Sequence, residues 1–324
     1  MIAEEVYDLV LDDVFIRLDQ LVPGSSLYLK LEGLNPAGSV KLKTAVALVA
    51  DAENSGRSFP RTRLIESTSG NLGVALAMVC AAKGYALTCV TDVNANRQSR
   101  QLMKAFGAEV VVIGVRDSNG GYLQSRIDYI GERLRRDPDL HWLNQYANPA
   151  GPQAHHDRTG RAILDTVGHA DRLFVGAGTT GTLMGCARYF RRHSPATRIT
   201  GVDTVGSVTF GGPAAQRRIP GLGTSRRPEI FDPAAVDDVV HIAEADAVRM
   251  CRMLARERGL LLGGSSGTVL SAVQQEAKNL PAGSVVVAVS PDCGDRYVET
   301  VYNDAWVSEH WPETVGKEIS GAHA

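Results

Sequence analysis

Polar and apolar positions along the chain follow two periods. Leu27-Tyr28-Leu29-Lys30-Leu31 alternates with period two and predicts a strand. Short apolar runs predict further strands over 63–66, 87–91, 109–113, 173–175, 199–203 and 284–290. The last is almost wholly apolar, which suits a central parallel strand covered on both faces. Helix-length segments lie between them. One follows Lys41 through Ala45, Val46, Leu48 and Val49. Others run from Leu72 to about Lys83, closed by Gly84, and from Arg97 to Phe106, stopped at Gly107. Two more cover about 122–136, ended by Asp137-Pro138, and 183–191. His141 to Tyr146 reads as a strand, and Asn148-Pro149-Ala150-Gly151-Pro152 as a hinge. Residues 1–22 are a mixed lead-in with an apolar stretch at Val14-Phe15-Ile16. The repeated strand-helix order predicts an α/β fold of mostly parallel sheets covered by helices.

Composition narrows the classes. At 324 residues and 44% hydrophobic, the chain can bury a sizeable core and form two lobes. With 34 basic and 36 acidic residues the net charge is -2, which gives no footprint for nucleic acid or an anionic membrane. No apolar run reaches the roughly 20 residues of a membrane span. The first residues, Met1-Ile-Ala-Glu-Glu, lack the basic and apolar segments of a signal peptide. The five cysteines, Cys80, Cys89, Cys186, Cys251 and Cys293, show no CxxC or metal-ligand spacing, and read as reduced thiols of a cytoplasmic chain. His155 and His156 are adjacent, point apart on a helix and have no carboxylate cluster, so no metal site is expected.

Candidate chemistry sits in loops between strands and helices. Asn35-Pro36-Ala37-Gly38-Ser39-Val40-Lys41 is a turn, a helix N-cap at Ser39 and then a lysine in the first helical turn. The positive end of the helix favours the neutral amine there, as a Schiff-base lysine requires, although a surface lysine would leave the same pattern. Gly176-Ala-Gly-Thr-Thr-Gly-Thr182 combines small residues, hydroxyls and a helix N-terminus, a cradle for one phosphate monoester. It has neither the Walker lysine nor the GxGxxG spacing of nucleotide loops. Ser67-Thr68-Ser69-Gly70-Asn71 offers hydroxyls and an amide to a carboxylate, or simply caps a helix. Gly263-Gly264-Ser265-Ser266-Gly267 also precedes a helix.

In this order, the lysine loop, the Ser-Thr-Ser-Gly-Asn loop, the Gly-Thr-rich loop and Gly-Gly-Ser-Ser-Gly resemble the β-family, or fold type II, of pyridoxal-phosphate enzymes. The resemblance implies that Lys41 bonds pyridoxal 5'-phosphate covalently and Asn71 meets its ring hydroxyl. It implies that Gly178, Thr179, Thr180, Gly181 and Thr182 hold the phosphate and that Ser265 faces the pyridine nitrogen. Ser67, Thr68, Ser69 and Asn71 would take the substrate carboxylate. A neutral serine at the ring nitrogen leaves a milder electron sink, which favours β-elimination and β-replacement over transamination. Two lobes with the cofactor between them are implied, 1–34 with 148–324 and 35–147, the smaller closing over substrate, in a homodimer.

Within the family, Ile65-Glu-Ser-Thr-Ser-Gly-Asn-Leu-Gly73, Gly120-Gly-Tyr-Leu123, Trp142-Leu-Asn-Gln-Tyr-Ala-Asn148, Pro220-Gly-Leu-Gly-Thr-Ser-Arg226 and Pro291-Asp-Cys-Gly-Asp-Arg-Tyr297 resemble the N-(2-amino-2-carboxyethyl)-L-glutamate synthases of siderophore and 2,3-diaminopropionate biosynthesis. That implies O-phospho-L-serine and L-glutamate as substrates, with cysteine synthesis from sulfide or use of ammonia as alternatives. Both substrates are anionic, so cations are required: Arg226 first, Lys43 and Arg126 after it, with Tyr146 against the substrate. The chain departs from the family where the usual Lys-Asp-Arg is Lys41-Leu42-Lys43, where Val14-Phe15 replaces Thr-Pro, and at Cys293, which reads as a packed thiol.

Overall fold

The computed structural model describes residues 2–56, 62–68, 70–118 and 120–315. In chain order the elements are β1 (Phe15–Arg17), β2 (Ser26–Leu31), α1 (Lys41–Asn54), β3 (Arg63–Ser67), α2 (Asn71–Lys83), β4 (Leu87–Asp92), α3 (Arg97–Ala105), β5 (Glu109–Ile113), α4 (Leu123–Arg136), β6 (Leu140–Trp142) and α5 (Ala150–Ala154). A π-type turn, His155–Gly160, leads into α6 (Arg161–Val167). Then come β7 (Arg172–Gly176), α7 (Gly181–His193), β8 (Arg198–Thr204), β9 (Asp238–Ile242), α8 (Glu244–Arg258), α9 (Gly264–Glu276), β10 (Val285–Ser290), α10 (Asp304–His310) and α11 (Pro312–Val315).

Among the described residues the strands form two sheets, in the orders β1-β2-β10-β7-β8-β9 and β5-β4-β3-β6. Every pairing is parallel except that of β1 with β2. The apolar run of β10 shows why it sits centrally. Val286 and Ala288 pack with α8 and α9 on one face, and Val287 and Val289 pack with α6 and α7 on the other. A strand with both faces covered has no polar side to show. In the smaller sheet, Leu64 and Cys89 face the core under α1 and α2, while Ile65 and Val90 face Ile130 of α4. The chain from β2 crosses into that smaller unit through the lysine loop; β1 and β2 belong to the larger sheet, while Tyr7 and Val10 of the lead-in pack against the core under α1 and α2.

Three expectations are corrected. The strand expected over 141–146 stops at Trp142, because Asn144 takes a left-handed conformation (φ 52°) and turns the chain. Helix α1 begins at Lys41, so Val40 rather than Ser39 holds the N-cap position. The Ser39 hydroxyl still accepts from the Lys41 amide at 3.4 Å. Elements β9, α8 and α10 stand where no element is predicted. No described helix is long and apolar enough to cross a membrane.

Candidate active site

Parallel strands deliver their loops to one edge of a sheet, and ligands collect there. The loops after β3, β7 and β8 meet α1 and α9 around a cleft of about 510 Å³, walled by Lys41, Asn71, Arg126, Tyr146, Thr179 and Ser265 among others. At its floor the Lys41 ammonium donates to Thr179 Oγ1 at 3.3 Å. Burial pushes the Lys41 amine down to about 8, against the opposing carboxyls of Asp292 and Glu66.

The loop between β7 and α7 is built to admit an anion. A Cβ on Gly178 would lie 2.6 Å from the Gly221 carbonyl, so only glycine fits. Thr180 is held at φ 66°, a strained conformation for a β-branched residue. Its hydroxyl is buried and has no partner, beside the N-terminus of α7. Thr182 meets His155 Nε2 at 3.3 Å, and the same nitrogen meets Thr44 Oγ1 of α1 at 3.0 Å. His155 Nδ1 meets Thr159 at 3.0 Å. Burial, followed by Lys43 and Lys41, pushes His155 well below its ordinary value, so a neutral imidazole ties this loop to the lysine helix.

Asn71, at the start of α2, accepts from Arg296 Nη1 at 2.6 Å and donates to Asp292 Oδ2 at 2.7 Å, leaving one amide proton for a ligand. Ser265, at the start of α9, is within 3.3 Å of Asp292 Oδ1. Thr68 reaches the cleft, but its hydroxyl accepts from the Gly73 and Gly70 amides at 2.9 and 3.3 Å and so caps α2. Ser67 lies beneath, off the cleft wall, with a buried hydroxyl that has no partner. Ser69 is outside the described residues.

The cations are arranged differently from expectation. Arg226 is off the cleft wall. Its guanidinium pairs with Glu229 and donates to Gln124 at 3.4 Å, and its side chain is half in solvent. Lys43 turns away from the cleft into a buried cluster, 2.8 Å from Glu32, 2.6 Å from Asp12 and 3.1 Å from Thr159. Lys43 holds the sequence position at which the resemblance implies an arginine. Of the three cations expected from the sequence, Arg126 is the one on the wall, which Arg116, Arg217, Arg218 and Arg296 also line. Its side chain is 7% exposed, Asp92 is 3.4 Å away, and neither Nε nor Nη1 has a hydrogen-bond partner. Its signal was present in the sequence. Leu123, Arg126 and Ile130 fall at i, i+3 and i+7 and are the buried residues of α4, so this arginine lies in the apolar stripe.

Comparison with known proteins agrees with this geometry. Residues 14–292 match the family model described as pyridoxal-phosphate dependent enzyme. The chain belongs to that family. Its fold matches solved fold type II structures. An O-ureido-L-serine synthase variant with O-ureido-L-serine bound is 30% identical, covers 95% of this chain and 98% of its own, and has a TM-score of 0.87. An O-acetylserine dependent cystathionine beta-synthase from Helicobacter pylori is 31% identical, covers 94% and 100%, and has a TM-score of 0.87. A hydrogen sulfide-producing enzyme from Fusobacterium nucleatum is 30% identical, covers 91% and 100%, and has a TM-score of 0.85. The cofactor of the family is pyridoxal phosphate, and the residues present fit it: an amine held toward neutrality that meets Thr179, and in the same loop a buried, unpartnered Thr180 hydroxyl beside the N-terminus of α7.

Proposed function

We propose that this enzyme performs a β-replacement on O-phospho-L-serine, with the amino group of L-glutamate as the nucleophile. The products are N-(2-amino-2-carboxyethyl)-L-glutamate, a precursor of 2,3-diaminopropionate, and phosphate. The observation that carries the reading is Arg126. A buried guanidinium on the cleft wall, whose Nε and Nη1 have no hydrogen-bond partner and which Asp92 approaches only to 3.4 Å, has donors to offer an anion beyond the cofactor's own phosphate. A phosphorylated serine or a dicarboxylic amine supplies one; sulfide gives it little to hold. Solved relatives named for O-ureido-L-serine and O-acetylserine support chemistry at the β-carbon of a substituted serine.

Pyridoxal phosphate, when bound, supplies a carbonyl for the substrate amine and an electron sink that acidifies the Cα proton. The protein does the rest. Lys41 would take the Cα proton and later return it. Thr179, Thr180 and the amides at the start of α7 hold the cofactor's phosphate, with Gly178, Gly181 and Thr182 shaping the loop. Asn71 offers its free amide proton to the ring hydroxyl, and Ser265 meets the ring nitrogen. Thr68 and Asn71, at the start of α2, take the substrate carboxylate, with Ser67 and Ser69 beside them in the sequence. Arg126 binds the leaving phosphate or the incoming carboxylate, with Tyr146 beside it. The unit of residues 35–147 closes over the substrates, and the enzyme works as a homodimer.

The deciding experiment follows the visible spectrum of the holoenzyme as O-phospho-L-serine and then L-glutamate are added, with product mass measured. A spectral change on the first addition that reverses on the second, with the coupled product present, is expected. Reversal by sulfide alone would make this a cysteine synthase and end the proposal.

A further inference from the structure

Asp292, two residues after the end of β10, is buried at the junction of three elements of the site and is assigned no part in the chemistry above. It is 2% exposed. Its backbone lies in a bridge with Ser39 of the lysine loop, and the neighbouring Pro291 carbonyl accepts from the Val40 amide at 2.7 Å. A Cβ on Gly263 would fall 2.0 Å from Asp292 Oδ1, so the α9 loop closes on this carboxyl only because residue 263 is glycine. Its two oxygens have different surroundings. Oδ2 accepts from the Tyr297 hydroxyl at 2.5 Å and from Asn71 at 2.7 Å. Oδ1 faces the Ser265 hydroxyl at 3.3 Å. Burial pushes this carboxyl up, while Tyr297, Asn71, Arg296 and Ser265 oppose the push. The Asn71 amide nitrogen can only donate to it, and the Tyr297 and Ser265 hydroxyls can donate as well as accept, so with Arg296 nearby the surroundings suit an ionised carboxylate.

A hydroxyl has one proton to give. If Ser265 gives it to Asp292, only a lone pair is left to face the cleft. We infer that Asp292 is a positioning residue that takes the Ser265 proton, so that Ser265 accepts from the ring nitrogen of the cofactor and holds that nitrogen protonated. The serine then stands as the middle of a relay from a buried carboxylate, and the bound cofactor is a stronger electron sink than a lone serine would make it. The inference rests on the reading that Ser265 meets the ring nitrogen.

Substitution at 292 reverses the relay. In Asp292→Asn, the amide oxygen is held by the donors Tyr297 and Asn71, so the amide nitrogen faces Ser265 and donates to it. The Ser265 proton then turns to the ring, and the nitrogen becomes neutral. The test is the nitrogen-15 resonance of ring-labelled pyridoxal phosphate bound to wild type, Asp292→Asn and Ser265→Ala. Expected is a pyridinium-range resonance in wild type that moves to the neutral-pyridine range in Asp292→Asn. A neutral-range resonance in wild type overturns the inference, and that measurement needs no variant to fold. If Ser265→Ala shifts the resonance and Asp292→Asn does not, the relay fails while the serine keeps its place. If Ser265→Ala leaves it unmoved, the placement of Ser265 fails, and the relay with it.

Discussion

Lys41 has to be neutral before it can bond a carbonyl, and its surroundings decide at what pH that happens. A free lysine amine titrates at about 10.4. Burial brings Lys41 down to about 8. The rate at which cofactor-free protein takes up pyridoxal phosphate, read from visible absorbance, should therefore rise with pH through a midpoint near 8. A midpoint above 10 would mean that the fold does nothing to this amine. Two arginines make a second contrast at the same scale. A charge-assisted hydrogen bond contributes about 1.5–3 kcal/mol, or roughly ten- to hundred-fold. Arg126→Gln should raise the KM for O-phospho-L-serine or L-glutamate by that factor and leave the cofactor's absorbance as it is. Arg226→Ala loses only a half-exposed pair with Glu229, worth about 0.2–1 kcal/mol, and should leave steady-state kinetics within a few-fold. The reverse ordering would return the anion site to Arg226.

The elements differ in how legible they are. Strands β3, β4 and β10 stand out because both their faces are covered, so burial writes an apolar run bounded by polar turns. Strand β9 lies at a sheet edge with a mixed pattern, and α8 carries charge on its exposed side, so neither announces itself. The phosphate and lysine loops are legible because their chemistry is local, a few consecutive residues at a helix start. Arg126 and Asp292 are harder, since each depends on what a distant segment brings to it. Strand β3 hides one more such group. Glu66 is fully buried, one carboxyl oxygen accepts from the Ser67 amide at 3.0 Å, and the other has no partner. Desolvation raises its carboxyl from 4.5 to about 8. The folded protein then binds a proton that the unfolded chain releases above pH 4.5. This group's contribution is full below about 4.5 and is lost as pH rises towards 8. Glu66→Gln should remove that slope, so urea unfolding at pH 5.5 and pH 8 should differ less in the variant than in wild type. Equal slopes would place the Glu66 proton outside the folding equilibrium.

Over the whole molecule, the question is what holds the lysine loop in the absence of the family's Asp-Arg pair. The answer is spread over four segments. Lys43 comes from α1, Glu32 from the residue after β2, Asp12 from the lead-in, and Thr159 and Arg158 from the turn before α6. Lys30, also buried, stands 3.3 Å from Glu32. The cluster therefore pins the start of α1, and with it Lys41, to the larger sheet. Sequence shows only that a lysine has replaced an arginine one position after a leucine; which carboxylates it finds is settled by tertiary packing. Buried ion pairs add little over a well-packed apolar replacement, yet removing one partner leaves the others charged in a medium that cannot solvate them, at about 3–5 kcal/mol. Lys43→Met keeps the length of the stem and deletes the charge. Glu32 retains Lys30, and Asp12 retains Arg158, so a loss near 3 kcal/mol is expected in urea unfolding of the cofactor-free protein. Adding Glu32→Gln should restore part of it, because the stranded carboxylate goes too. A single variant as stable as wild type would show that the cluster is solvated in solution and that the lysine loop is held by its backbone bonds to Asp292 and Pro291 alone.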